Sequence, residues 1–267
     1  MTAPPPASPQ ASPPASPSAA TPIERLVRRD RWIAATGLAI IAIVSWLFVL
    51  DGAGTGMSVA AMTSWQFPPP VMPAMNEPWP ASYWLVMLAM WSVMMIAMMV
   101  PSAAPMILLY ARVNRHAQKK GQMPAGAIPT AWFALGYVVA WLAFSAAATA
   151  LQWGGEQLGL LHAMMMWSLN KWLSAALLIA AGGYQLSPLK DICLRHCRAP
   201  ADYLSRNWRK GQFGAWRMGL KHGLYCVGCC WFLMAMLFVG GIMNLVWIAG
   251  LAIFVLAVFV GYYVVWS

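Results

Sequence analysis

The sequence predicts an all-α protein, a polytopic transmembrane helical bundle of about six spans with both termini cytoplasmic. Three observations carry that expectation. The 267 residues are 61% hydrophobic and only 9% charged, more apolar surface than a soluble core of this size can use. Several apolar runs reach or approach the ~20 residues that a helix needs to cross a ~30 Å hydrocarbon layer. Of the 17 Lys and Arg, 16 fall in the N-terminal stretch, in 112–120 or in 190–221.

Residues 1–22, "MTAPPPASPQASPPASPSAATP", are Pro/Ala/Ser low complexity with nothing to bury. Residues 1–31 therefore read as a disordered cytoplasmic tail with a basic end, and 32–267 as a single transmembrane domain. Arg25, Arg28, Arg29 and Arg31 precede a full-length apolar run, the pattern of a retained signal-anchor rather than a cleaved secretory signal. The expected spans are 32–50, 83–110, 128–151, 172–187, 219–239 and 244–266. Alternate connections differ in charge. Loops 51–82 and 152–171 carry Asp51, Glu77 and Glu156, with Lys171 their one cation, so the basic segments belong inside. Loop 51–82 is rich in Gly, Pro, Trp and Met, and Trp65 and Trp79 are expected to order it against the membrane surface.

Composition and motifs remove several functions. The net charge of +10 follows from topology and anionic headgroups, and the chain matches no nucleic-acid-binding motif. No hydrolytic constellation is present. Seven acidic residues, none clearly inside a span, argue against proton-coupled transport. No G-x-x-x-x-G-K-[ST] phosphate loop is present, which excludes an ATP-driven pump in this chain alone.

Three stretches carry soft donor atoms. In the second span, Met87, Met90, Met94 and Met98 recur at spacings of three, four and four, one stripe of a helix, with Met95 and Met99 beside it. Methionine packs irregular gaps well, but its thioether also selects Cu(I). Pro101 and Pro105 follow and predict a kink or re-entry point. In the fifth span, Cys226, Cys229 and Cys230 stand at i, i+3 and i+4, and Met234 continues that face. Lys221 and His222 mark its cytoplasmic end, which puts the thiols in the cytoplasmic half of the bilayer. After the fourth span, Pro188 begins a cytoplasmic turn holding Cys193, His196 and Cys197. The topology thus gathers all five cysteines on one side, although Cys197 and Cys226 are 29 positions apart. Outside, Met57, Met62, Met72, Met75 and Met164–Met166 beside His162 form a looser soft set, which sketches a path from outer methionines through the ladder to the inner thiols.

Two chemistries compete for the thiols. Cys193, Cys197, Cys226 and Cys229 or Cys230, with or without His196 or His222, supply three or four soft ligands for Cu(I) or Zn(II). Alternatively, Cys226 and Cys229 form a C-x-x-C capable of dithiol exchange, although they lie on the reducing side. A third reading is a membrane scaffold or assembly subunit in which Gly219, Gly223 and Gly228 with the methionines only pack.

"MMIAMMVPSAAPMILLYARV", "GGYQLSPLKDICLRHCRAP" and "GLKHGLYCVGCCWFLMAMLFVGGIMNLVWIAGLA" together resemble the family of predicted metal-binding integral membrane proteins, a bacterial domain of unknown function, over residues 84–252. The resemblance implies a multi-pass protein of the bacterial inner membrane with a metal site. The matching positions are Met94, Met95, Met98, Met99, Pro101, Tyr184, Gln185, Pro188, Lys190, Cys193 and Cys197, then Gly223, Cys226, Cys229, Cys230, Trp231 and Met234. It also implies a charged Glu-Lys turn after "GLAIFVLAVF", where this chain continues "VGYYVVWS", as an altered or shortened end would. The expectation is a binding protein rather than an enzyme. Its metal is Cu(I), with Zn(II) the alternative, held by Cys193, Cys197, Cys226, Cys229, Cys230, Met94, Met98, His196 and His222. Its partners are the lipid bilayer, the metal and a partner metalloprotein or membrane complex.

Overall fold

Helices account for every element among the residues that the computed structural model describes, which are 22–63, 79–120 and 129–266; the remaining contact of strand type is one isolated bridge between Leu161 and Ser168. In chain order the helices are α1 (Pro22–Leu50), α2 (Val59–Met62), α3 (Ala81–Lys119), α4 (Pro129–Gln157) and α5 (Lys171–Gln185). They continue with α6 (Pro188–Arg198), α7 (Pro200–Asn207), α8 (Gly211–Ala235), α9 (Leu237–Gly240) and α10 (Leu245–Trp266). Four stretches are long and apolar enough to cross a membrane: Trp32–Leu50, Ala81–Gln118, Pro129–Gln157 and Gly211–Gly240. The apolar residues Ile33, Ile40, Ile43 and Leu47 of α1 and Leu151 of α4 point away from the bundle, as lipid-facing side chains do.

The helix starts have local causes. Asn170 Oδ1 accepts from the Trp172 and Leu173 amides and caps α5, and Asn244 Oδ1 does the same for Val246 and Trp247 at the start of α10. Ser187 Oγ accepts from the Lys190 amide as Pro188 opens α6. Proline likewise begins α4 and α7.

α4 runs between α3 and α8, and its approach to α8 is backbone on backbone. A Cβ on Gly136 would sit 2.2 Å from the Trp216 carbonyl oxygen, and one on Gly223 would sit 2.7 Å from Ala140 Cβ. Small residues let membrane helices approach this closely. Behind that seam, Met87, Met90, Met94, Met95, Met98 and Met99 of α3 share one buried core with Cys226, Cys229, Cys230 and Met234 of α8. α1 and α10 flank α3.

Several expectations change. The helical backbone begins at Pro22, so the basic cluster lies on the same helix as the first apolar run; residues 1–21 lie outside the described residues, as do Trp65, Met72, Met75 and Glu77. Pro101 and Pro105 do not produce a re-entry, because α3 continues through both. Proline at 101 has no amide hydrogen for the Ala97 carbonyl, and Trp46 Nε1 of α1 donates to that oxygen instead, at 3.1 Å. The third span extends to Gln157 and takes Glu156 into the helix, where it is buried. There Gln152 Nε2 donates to Glu156 Oε1 at 3.0 Å and Trp79 Nε1 to Oε2 at 3.0 Å, while Trp91 Nε1 donates to Gln152 Oε1 at 2.8 Å. The expected fourth span becomes the 15-residue α5, about 22 Å long and short of the hydrocarbon thickness. The basic stretch after it holds α6 and α7 rather than a turn and a loop, and α8 starts at Gly211.

Candidate metal centre

On α8, the i, i+3, i+4 spacing of Cys226, Cys229 and Cys230 turns all three thiols toward the interior, and each is buried. Contact with α4 fixes that rotation, since Gly219 and Gly223 stand seven and three residues before Cys226 on the seam. The Cys229 thiol donates to the Cys226 carbonyl at 3.1 Å, and Cys229 Sγ lies 3.4 Å from Cys230 Sγ.

The fourth thiol comes from α6. Lys190, Leu194 and Cys197 recur at i, i+4 and i+7 on its buried face, which packs against α8. That register brings Cys197 Sγ, Cys226 Sγ and Cys229 Sγ within 4.8 Å of one another. All five cysteines are free thiols. Hydrogen bonding to Cys226 and Cys229, together with burial, holds the Cys197 thiol well above its ordinary pKa.

The donor set fits a soft cation. With metal–sulfur bonds of ~2.3 Å, three sulfurs around one ion stand ~4 Å apart, so closure from this arrangement needs shifts below about 1 Å. Side-chain rotation on two helices supplies such a shift without moving the backbone.

The other candidate residues surround the trio in different ways. Cys193 is half-buried and meets α8 at Gly228, where an added Cβ would come 2.9 Å from Cys193 Sγ; burial pushes its thiol pKa up. Cys230 touches the trio through Cys229. His196 stacks on Tyr225 with centroids 4.0 Å apart, and its Nδ1 pairs with the Ile192 carbonyl at 2.9 Å. His222, one turn before Cys226, is buried among Phe133, Tyr137 and Tyr203 with its Nδ1 lacking a hydrogen-bond partner. Met94 and Met98 lie in the shared core. Outside it, Met164 is exposed, and His162 Nδ1 accepts from the Met164 and Met165 amides at 3.2 and 3.0 Å, so that nitrogen holds a turn; burial lowers its pKa.

Two neighbours of the thiols were given no role from the sequence, Tyr137 being unread and Lys190 entering only as a position of the resemblance. Tyr137 of α4 places its hydroxyl 3.4 Å from Cys226 Sγ. Lys190 lines a small cavity between α6, α8 and α10 together with Cys229 and Cys230, and its Nζ donates to Gln185 Oε1. A Lys in register with Leu194 and Cys197 was the available signal for the second; no local signal marks the first.

The PpoB2 family model, described as a copper chaperone, matches residues 88–259, and the chain belongs to that family. No curated protein and no solved structure matches it.

Proposed function

We propose that this copper-chaperone-family chain is a multi-pass protein of the bacterial inner membrane that binds Cu(I) as cargo on Cys197, Cys226 and Cys229 and hands it to a partner metalloprotein. The observation that carries the reading is the meeting of three buried thiols from α6 and α8, two separate helices with α7 between them in sequence. Thiolates are soft ligands that suit Cu(I), and three of them suit a low-coordinate ion. Cys230, in contact with Cys229, keeps four-coordinate Zn(II) as the competitor.

Cargo has to leave as well as bind. Adjacent thiols allow copper to pass by stepwise ligand exchange, one sulfur replacing another without a free ion. His222, with its buried and unpartnered Nδ1 one turn from Cys226, is a further donor on that route. The distribution of Lys and Arg supports cytoplasmic termini and a centre in the cytoplasmic half of the bilayer, with 32–267 as one membrane domain of about six hydrophobic segments. Met94 and Met98, in the same core as the thiols, extend a soft lining away from the centre.

The test is metal analysis of the full chain purified in detergent under reducing conditions and loaded anaerobically with Cu(I). Elemental mass spectrometry is expected to find about one copper per wild-type chain, lost in Cys226→Ser plus Cys229→Ser and strongly reduced in Cys197→Ser, while Cys193→Ser retains it. Stoichiometric zinc in place of copper would change the cargo. An absence of both metals, with a reversible Cys226–Cys229 disulfide, would replace the reading by thiol redox chemistry.

A further inference from the structure

We infer that Tyr137 is a positioning residue for Cys226 whose hydroxyl changes partner when copper arrives; the inference rests on the copper-site reading above. Tyr137 is buried on α4, between α3 and α8. Its hydroxyl donates to the Met99 carbonyl of α3 at 3.1 Å and lies 3.4 Å from Cys226 Sγ. A phenol has one hydrogen to give. While that hydrogen points at Met99, the Cys226 thiol is the donor in the second contact.

Copper loading reverses this. In exchange with a copper–thiolate carrier, a Cu–S bond to Cys226 forms, the Cu–S bond to the carrier breaks, and the Cys226 proton leaves on the carrier's sulfur as a thiol. No electron is transferred. Cys226 sulfur is then an acceptor alone, facing the lone pairs of an oxygen whose hydrogen points elsewhere. Rotation of the Tyr137 O–H from Met99 to Cys226 removes that repulsion and gives the thiolate a charge-assisted donor.

The Met99 carbonyl tolerates the loss. Ser102 Oγ already donates to it at 2.8 Å, so it keeps a side-chain donor after Tyr137 turns away. The resting state therefore satisfies Tyr137 without a charge beside it, and the loaded state satisfies the thiolate without orphaning α3. The bond that Tyr137 donates to Cys226 sulfur exists only with copper bound, so that bond contributes to affinity rather than to folding.

Cu(I) affinity of the full-length detergent-purified chain, measured by competition with a chromogenic Cu(I) chelator, tests this in a four-way cycle. Tyr137→Phe is expected to weaken Cu(I) binding about ten- to hundredfold at unchanged stoichiometry, the range for a hydrogen bond to a charged group. In a Cys226→Ser background, where the remaining thiols bind more weakly, Tyr137→Phe is expected to change nothing further. Wild-type affinity in Tyr137→Phe, or an equal loss with and without Cys226, would overturn the switch and leave the copper site standing. A wild-type chain that binds no Cu(I) would overturn the site and the switch together.

Discussion

Replacing Gly219 by alanine adds one methyl group at the point where α4 and α8 touch. An ideal Cβ there would stand 1.9 Å from the Phe133 carbonyl oxygen and 2.7 Å from its carbon, and ordinary contact begins at 3.4 Å. The obstacle is backbone on both sides, so no rotamer change relieves it. The helices must separate by about 1.5 Å, the shortfall between those two oxygen contacts. Overpacking of this kind costs about 1–3 kcal/mol, and a clash between two backbones belongs at the upper end. For a chain of this size, that corresponds to a drop in Tm of roughly 5–10 °C. The separation lies two turns from Cys226, so the 3.4 Å contact between its sulfur and the Tyr137 hydroxyl would open to beyond hydrogen-bond range. Gly219→Ala is thus expected to lose stability and Cu(I) affinity together. The assay is thermal unfolding in detergent followed by chelator competition, with Gly182→Ala as the control. A Cβ at Gly182 meets nothing within 4 Å, and alanine there favours the helix by roughly 0.5–1 kcal/mol. Equal melting temperatures for the two variants would refute the backbone contact that sets the rotation of α8.

Three further outcomes are expected. Lys190 is the Lys or Arg buried among the described residues, in the same cavity as Cys229 and Cys230, so Lys190→Met is expected to weaken Cu(I) binding about tenfold by removing a cation near the thiolates, while Lys190→Arg retains most of it in the same competition assay. Met94→Leu plus Met98→Leu preserves volume in the core; copper uptake by cells is expected to fall while protein abundance is unchanged, and unchanged uptake would remove the methionines from the route. Gln152→Leu takes the donor from Glu156 and the acceptor from Trp91 Nε1, leaving buried polar groups unpaired at about 1–3 kcal/mol each; thermal unfolding should report a loss that exceeds that of Thr149→Val.

The parts of the fold governed by local pattern were readable in the sequence. The cysteine face of α8 and the methionine stripe of α3 follow from helical periodicity, and both are buried as that periodicity requires. Charge asymmetry led to the expectation that the five cysteines belong together, and α6 and α8 do bring their cysteines to one contact, but it could not choose among them. Cys193 and Cys197 are four residues apart and share a broad helical face, so no argument from spacing selects Cys197 for the trio and Cys193 for Gly228. That choice depends on how α6 docks on α8. The re-entry expected at the prolines failed for a related reason. The break in hydrogen bonding at Pro101 is local, whereas its remedy, Trp46 Nε1 on the Ala97 carbonyl, comes from 51 residues away. Glu156 looked like loop charge because its partners Trp79 and Gln152 cannot be weighed before α3 and α4 are side by side.

These cases share a physical basis. Burial of apolar side chains is additive along a helix and leaves a periodic trace, whereas satisfaction of a buried polar atom is a pairwise event that needs one partner at one distance. Tyr137 and Cys226 are 89 residues apart, and nothing in its own helix marks Tyr137 as a partner of the thiol. What makes their contact chemically consequential is that the Met99 carbonyl keeps Ser102 as a side-chain donor when the hydroxyl turns away. A function that depends on exchanging one hydrogen-bond partner for another therefore resides in the redundancy of a third group. Such redundancy becomes visible only after three helices are assembled.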